Sequence, residues 1–386
     1  MRLLVISHTP HYRQAGQIVG WGSTVRELDY LATRVDELIH LAILHPGAAP
    51  GSSLPYGAPN VRSVLLPPAG GDPLRAKIGV LEQAPFYLNE IRRQIQNADM
   101  VQVRCPANIS LLALLALGFV TKPRYRWFKY AGNWQPNPGC EALTYRVQRW
   151  LLAQNWGGGP VTVNGSWPGQ PAHIFSLDNP CVAQTEVEQA QRLTAGKQLE
   201  QPVRFLFVGR AEDAKGLGQA LQILIGLRQS EIKLHFDVLG DGPERMKIEA
   251  QAGALGFGAE VCFHGSLSRT ELVPFYARAH FILHPSRASE GWPKVLSEAM
   301  AYGVVPLASD VSSIPQILSE IGCGVALPYQ AIDRFAAVVQ EYLKNPERWQ
   351  AESQRGQQAS GRFTYSAYGA ALNRMFEQVW GTPLLQ

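Results

Sequence analysis

Residues 284–306 read HPSRASEGWPKVLSEAMAYGVVP. Just before them Phe281-Ile282-Leu283 form an apolar run that stops at His284-Pro285-Ser286, the pattern of a buried strand running out into a loop. Gly291 and Pro293 punctuate that loop. Val295, Leu296, Ala299 and Met300 then recur with the spacing of one helix face, Gly303 ends the helix, and Val304-Val305-Pro306-Leu307 begins another short strand. Two glutamates fall in the stretch: Glu290 on the loop before the helix and Glu298 inside the helix, one turn after Lys294. A helix start presents free N–H groups and a partial positive charge, so it attracts phosphate. An anion on the amides between Gly291 and Lys294 would have a carboxylate on either side, and carboxylates there suit sugar hydroxyls. The expected ligand is a phosphate flanked by two polyols, a nucleotide-sugar. The same spacing also fits an ordinary αβ unit with two surface glutamates.

Glu290, seven residues and Glu298, set in SEGWPKVLSEAMA, resemble the E-x7-E signature of family 4 retaining glycosyltransferases of the GT-B fold. Upstream, FVGR (Phe207 to Arg210), KGL (Lys215 to Leu217), VLGDGPE (Val238 to Glu244) and VCFHG (Val261 to Gly265) follow that family's C-terminal domain in order and spacing. The resemblance is specific from Phe205 to Pro306 and weaker over Met1 to Gln184. It implies two doubly wound Rossmann-like α/β domains facing each other across a cleft. We expect an acceptor-binding domain over 1–184, a nucleotide-sugar-binding domain over 185–362, and a last helix within 363–386 that crosses back onto the first.

Composition agrees with a globular chain. Of 386 residues 46% are hydrophobic and 17% charged, enough for more than one core. Of the 35 Lys+Arg and 31 Asp+Glu, 16 and 12 lie in Met1–Ala190, leaving 19 of each beyond, so the basic excess sits in the N-terminal half. That is too mild for a nucleic-acid binder and compatible with a weak preference for anionic lipid. The cysteines Cys105, Cys140, Cys181, Cys262 and Cys323 are scattered and lack C-x-x-C spacing, which reads as reduced thiols in a cytosolic protein without a zinc site. MRLLVISHTP at the N-terminus reads as a strand rather than a signal peptide. The longest apolar run, Leu111 to Val120, is half the length that spans a bilayer. A cytoplasmic protein, at most peripheral to a membrane, is expected.

In the first half, Leu3 to Ser7 reads as a buried strand, His8 to Gly22 as a polar, Gly-bearing loop, and Thr24-Val25-Arg26-Glu27 as a capping box opening a helix. Gly20-Trp21-Gly22 lacks the third glycine of a dinucleotide fingerprint, and no Walker A pattern occurs. Gly22 resembles the family's N-terminal glycine loop over the donor phosphates, and a plain tight turn is the alternative. Arg104 stands at one expected strand exit and Gly132-Asn133 at another, where the family often carries histidines. Arg104 would hold an anionic acceptor or, more simply, a neighbouring carboxylate. Tyr145 to Trp156 mixes Arg with Trp and Leu at helical spacing, as in a helix lying on a membrane or one facing the core. Asp178 to Gln201 reads as the interdomain connection.

The chemistry centres on Arg210 and Lys215, expected just past a strand end where open α/β sheets bind ligands. Arg brings a planar fork and Lys a point charge to a diphosphate. The resemblance assigns the same role to this pair, together with Gly209, and gives Glu290 the transferred sugar and Glu298 the ribose. Gly291, Trp292, Pro293, Lys294 and Val295 would line the phosphate at the helix start. Two cations and a helix dipole can replace a divalent metal, no DxD-type motif is present, and neither a metal nor another cofactor is expected. The donor would be a UDP- or GDP-sugar and the acceptor a carbohydrate or lipid-linked glycoconjugate, as in polysaccharide biosynthesis. A GT-B nucleotide-sugar epimerase and a non-catalytic nucleotide-sugar-binding protein are the alternatives. A glycosidase pair of carboxylates would leave Arg210 and Lys215 without a purpose. His8, His11, His173 and His264 are candidates for catalysis, although a lone histidine beside Pro or Gly is more often structural.

Overall fold

In the computed structural model residues 1–69, 74–136 and 141–385 are described, residues 74–81 by their backbone alone, so Cys140 lies outside the described residues. The chain forms two compact units, Met1–Asp178 with Tyr368–Gln386, and Asn179–Ala367.

The first unit contains β1 (Arg2–Gln14), β2 (Gln17–Trp21), α1 (Gly22–Ala32), β3 (Glu37–Leu44), β4 (Ser53–Pro55), β5 (Val61–Leu66), α2 (Leu74–Ile95), β6 (Met100–Cys105), α3 (Asn108–Leu117), β7 (Tyr125–Tyr130), α4 (Leu143–Ala153), β8 (Val161–Val163) and β9 (Ile174–Ser176). Its parallel strands run β5-β3-β1-β6-β7-β8-β9. Both faces are covered, which is why β1 reads as an unbroken apolar run: Leu4 and Ile6 enter one core with Ile91 and Leu114, Leu3 and Val5 another with Leu28 and Trp127.

The second unit contains α5 (Gln184–Leu193), β10 (Val203–Val208), α6 (Leu217–Gln229), β11 (Leu234–Leu239), α7 (Arg245–Ala254), β12 (Val261–Gly265), α8 (Arg269–Arg278), β13 (Phe281–His284), α9 (Lys294–Ala301), β14 (Val305–Ser309), α10 (Ile314–Ile321), β15 (Val325–Leu327), α11 (Ile332–Lys344) and α12 (Pro346–Ala359). The last helix, α13 (Tyr365–Trp380), gives Tyr368, Leu372, Met375 and Phe376 to the core of the first unit, beside Leu3, Val5 and Trp127. The six strands of the second unit are all parallel, in the order β12-β11-β10-β13-β14-β15. Phe205 and Phe281 stack across the central pair at 5.6 Å.

Four expectations need correction. The stretch from His8 to Gly22 is not a loop. β1 shifts register between Ile6 and Pro10, runs on to Gln14 and turns back into β2. Ala15 (φ 49°) and Gly16 (φ 78°) supply the two left-handed residues that a tight hairpin of the strands' own twist requires. The capping box at Thr24 is absent. α1 begins at Gly22 without a side-chain cap, and Glu27 is fully buried in a charge cluster instead. Asp178 to Gln201 is not a bare linker. It contains α5, whose Val187 and Ala190 are buried and whose Glu186 caps the Ala183 amide at 2.7 Å. The second unit also takes up residues before Gln184, because Cys181 N–H donates to Phe363 O at 3.0 Å and Val182 bridges Thr364. Helices α7 and α12 had no strong sequence signature, whereas α10 carries one that the sequence reading passed over, with Ile314, Ile317, Leu318 and Ile321 on one face, Pro315 in its first turn and a left-handed Gly322 at its end. α7 buries only Ile248 and Ala252, too few positions to make a period visible.

Candidate functional site

A parallel sheet ordered 3-2-1-4-5-6 has its ligand crevice at the carboxyl ends of the two strands where the order reverses. Here those strands are β10 and β13. The exit of β10 carries Gly209, Arg210 and Lys215, and that of β13 carries the segment from Pro285 to Pro293. Two segments 75 residues apart in sequence are therefore laid side by side.

They are joined by backbone as well as by charge. The Arg287 N–H donates to Ala214 O at 2.9 Å, and the Ser286 hydroxyl donates to the same carbonyl at 3.0 Å. Gly216 has φ 79°, and a Cβ on it would lie 1.8 Å from Pro285 O, so no other residue fits this crossing. Gly240, at the exit of β11, has φ 132°, and its missing Cβ leaves room for Gly209 O at 1.9 Å. On this platform the Lys215 ammonium pairs with the Glu290 carboxylate. Lys215 is 17% and Glu290 40% exposed, so the pair lies at the edge of the crevice.

The start of α9 is fixed from behind. The Ser313 hydroxyl donates to Gly291 O at 2.7 Å. Trp292 is buried, donates its indole N–H to Ser297 Oγ at 2.7 Å and stacks on Phe363 at 5.7 Å. Pro293 caps the helix with no side-chain hydrogen bond to the first-turn amides. These contacts place the Trp292 side chain in the core, so only its backbone faces the role expected of it; Val295 is likewise packed partly into that core.

The expected residues thus fall into three settings. Lys215 and Glu290 meet. Arg210 is 68% exposed at the same exit, its Nε 3.1 Å from Glu212. Glu298 lies in a separate network: Arg269 donates to it at 2.7 Å and the Tyr276 hydroxyl at 3.1 Å. Arg269 also holds Glu186 at 2.7 Å and Cys181 O at 3.1 Å. Burial works against its charge, yet Glu298 and Glu186 raise the Arg269 guanidinium above its ordinary range. Sequence reading did not find Arg269, whose only local signal is its place behind Ser268 at the start of α8. His284, which closes β13, is buried as well, and burial, opposed by the Glu290 charge and aided by Lys215, pushes its pKa down to about 4.

Gly22 and Arg104 belong to the first unit. The Gly22 N–H donates to Ser52 O at 3.1 Å, and a Cβ there would stand 2.4 Å from that oxygen. Packing of the segment before β4 accounts for this glycine, and its amide is occupied. Arg104 takes the simpler of its two expected roles. Its two terminal nitrogens donate to the Glu27 carboxylate at 2.7 and 3.2 Å, and Lys129 donates to the same carboxylate at 2.7 Å. The Tyr368 hydroxyl adds a bond at 3.2 Å.

Three of the four isolated histidines, His11, His173 and His264, are built into the scaffold. His11 bonds Tyr56 and the Thr9 carbonyl, His173 bonds Leu152 O at 2.9 Å, and His264 lies 2.7 Å from Asp237. His8 on β1 keeps an exposed side chain, and partial desolvation by its surroundings, with Arg104, lowers its pKa.

Residues 191–359 match the model of the family described as "Glycosyl transferases group 1". The group 1 match takes in every one of the crevice residues from Gly209 to Glu298. Over 198 residues the chain is 24% identical to the alpha-D-kanosaminyltransferase of Streptomyces kanamyceticus, covering 51% of each. Over 153 residues it is 28% identical to the lipopolysaccharide 1,6-galactosyltransferase of Salmonella typhimurium, covering 39% of this chain and 42% of that protein. The chain thus spans about half the length of the curated relatives it matches. In structure it resembles sucrose-phosphate synthase from Thermosynechococcus elongatus (TM-score 0.72, 17% identity, 98% of this chain and 99% of that one). It also resembles Anabaena Alr3699/HepE in complex with UDP (TM-score 0.64, 14% identity, 98% and 100%). The fold around the group 1 region is GT-B, with a Rossmann-like sheet in each unit.

Proposed function

We propose that the protein is a retaining glycosyltransferase that moves a sugar from a nucleotide-diphosphate sugar to a saccharide or lipid-linked acceptor. The observation that carries this reading is the meeting of Lys215 and Glu290 at the switch point of a group 1 domain, with Arg210 on the same exit. Relatives named as kanosaminyl- and galactosyltransferases, and a fold neighbour solved with UDP, support the donor class.

In this reading the bond between the anomeric carbon and the diphosphate breaks with its electron pair going to the leaving oxygen. Lys215 and Arg210 meet the charge that grows there, and the positive end of the α9 dipole adds to it. The diphosphate replaces Glu290 as the partner of Lys215, and the freed carboxylate accepts hydrogen bonds from the sugar. Glu298, oriented by Arg269 and Tyr276, takes the ribose. The acceptor hydroxyl attacks from the face the diphosphate leaves and passes its proton to the departing phosphate, so configuration is retained without a separate base. No divalent metal is required by this scheme. Thermal denaturation checks it: UDP or GDP should raise the melting temperature, and the shift should survive EDTA. A shift that appears only with Mn²⁺ contradicts the scheme.

A lipid surface is the second proposed partner. Among the described residues no helix is long and apolar enough to cross a membrane. Yet α4 exposes Leu143, Val147 and Trp150, spaced i, i+4, i+7 along one stripe, with Arg146 also exposed. Between Met100 and Leu177 the only acidic residue is Glu141, and Arg149 pairs with it. An apolar stripe in a basic setting is the pattern of a helix that rests on an anionic bilayer. The protein should sediment with phosphatidylglycerol vesicles and not with phosphatidylcholine ones, and Trp150→Glu should weaken that binding about tenfold or more. Equal sedimentation of the variant would remove α4 from the contact.

A further inference from the structure

The ten residues of α3, NISLLALLAL, include no charged side chain. A helix that is apolar all round belongs inside a protein. Only part of α3 is covered, however. Ile109, Ala113, Leu114 and Leu117 join the core, whereas Leu115 is exposed and Leu111 and Leu112 are half-buried. Four residues beyond Leu115 stands Phe119, 79% exposed, with Val120 exposed beside it.

This tip is built rather than loose. The guanidinium of Arg126 is buried and spread over the carbonyls around it. Its Nε donates to Pro123 O at 2.9 Å, one terminal nitrogen donates to Leu117 O at 2.7 Å and Gly157 O at 3.1 Å, and the other donates to Val120 O. One side chain thereby ties the turn after α3 to the turn after α4. Gly118 leaves room for the Trp156 indole, since a Cβ there would stand 2.1 Å from its Nε1. The Phe119 and Trp156 rings meet edge to face at 5.7 Å, and Trp156 is itself exposed. Aromatic surface held in water forgoes the free energy that burying it would gain, so a fixed display of two such rings asks for a partner.

The charge around the tip identifies that partner. Lys122 and Arg124 are exposed on the same turn, and neither is ion-paired among the described residues. From Met100 to Leu177 there are seven Lys and Arg against the single Glu141. Phe and Trp settle at the boundary between lipid headgroups and acyl chains, and Lys and Arg meet the lipid phosphates just outside it. A bilayer supplies the apolar layer and the anionic layer together, one side-chain length apart.

We infer that the turn from Gly118 to Arg124, with Trp156, is a bilayer-inserting tip: Phe119, Val120 and Trp156 enter the headgroup boundary of an anionic membrane while Lys122 and Arg124 bind its phosphates. The inference rests on the lipid surface proposed as partner and adds to α4 a second contact, held rigid by Arg126.

Sedimentation of the full chain with phosphatidylglycerol or phosphatidylcholine vesicles tests it. Wild type should bind the former and not the latter. Phe119→Ser removes the ring without adding charge and should weaken binding about tenfold. Phe119→Trp keeps an interfacial aromatic and should stay within about twofold of wild type. Both variants should melt like the wild type, because the side chain replaced lies mostly in water. Wild-type binding by Phe119→Ser would overturn the inference. So would a Phe119→Trp as weak as Phe119→Ser, because a bilayer accepts either ring and the loss would then report a disturbed turn. Equal binding to the two kinds of vesicle would overturn it as well, since Lys122 and Arg124 would contribute nothing. A wild type that binds neither ends the tip and the lipid reading of α4 together. A defect in Trp150→Glu with none in Phe119→Ser ends the tip alone, and the reverse pattern supports the tip and removes α4.

Discussion

In Arg210→Ala and in Lys215→Ala, sugar transfer is expected to fall by about 10²–10³ each, the usual effect of deleting one preorganised donor to a developing negative charge. The two losses should show in different ways. Arg210 is exposed, and its neighbour Glu212 is exposed enough to be rehydrated once the arginine is gone. Its removal should act on the donor alone. Lys215 is mostly covered and neutralises Glu290, so its removal also leaves a carboxylate without its cation beside the diphosphate. Two negative groups would then face each other, and Lys215→Ala should raise the donor's Kd more than Arg210→Ala does. Donor hydrolysis measured without acceptor, together with diphosphate affinity, separates the two. Wild-type rates in either variant would end the mechanism proposed for this crevice.

The second large effect concerns stability. Glu27→Ala should destabilise the first unit by about 3–5 kcal/mol, the cost of leaving buried charge without its partner. Glu27 is wholly buried, and the two cations it serves, Arg104 and Lys129, are 12% and 8% exposed. Burial works against the Arg104 charge, and it is Glu27 that keeps this guanidinium above its ordinary pKa. Tyr368, also buried beside Glu27, loses its 3.2 Å bond as well. For a unit of this size the change corresponds to a fall in melting temperature of about 6–20 °C. Removing all three charges together, in Glu27→Leu/Arg104→Met/Lys129→Met, should cost less than Glu27→Ala alone, because no ion is then stranded. Differential scanning calorimetry measures both. A loss under about 1 kcal/mol in Glu27→Ala would mean that water reaches the cluster.

How far the sequence could be read depended on how local each signal was. β10, β11 and β13 were legible because strands buried on both faces are mostly apolar, and Phe205, Phe236 and Phe281 of the three enter one core. The loop-to-helix pattern around Pro293 was legible for the same reason: its punctuation and its helical period occur within twenty residues. The hairpin after β1 was not, since Ala15 is an unusual residue for a left-handed turn position and Pro10 inside the run argued against a strand. α5 was hidden because only Val187 and Ala190 of its ten residues are buried.

The same division holds for the candidate site. Residue types and spacing, read together with the resemblance to family 4 glycosyltransferases, pointed to Arg210, Lys215, Glu290 and Glu298, because each lies in a short local motif. Which of them touch was decided by the order of the strands. The placement of β13 beside β10 brings Glu290 to Lys215 across 75 residues, and the start of α8 brings Arg269 to Glu298 across 29. Glu27 shows the limit most plainly. In sequence it is the fourth residue of a plausible helix cap, whereas in the folded chain it is the buried anion of β6 and β7. Capping depends on neighbours three residues away and is written in the chain. A buried charge takes its partners from wherever the sheet delivers them, and only the tertiary structure determines that.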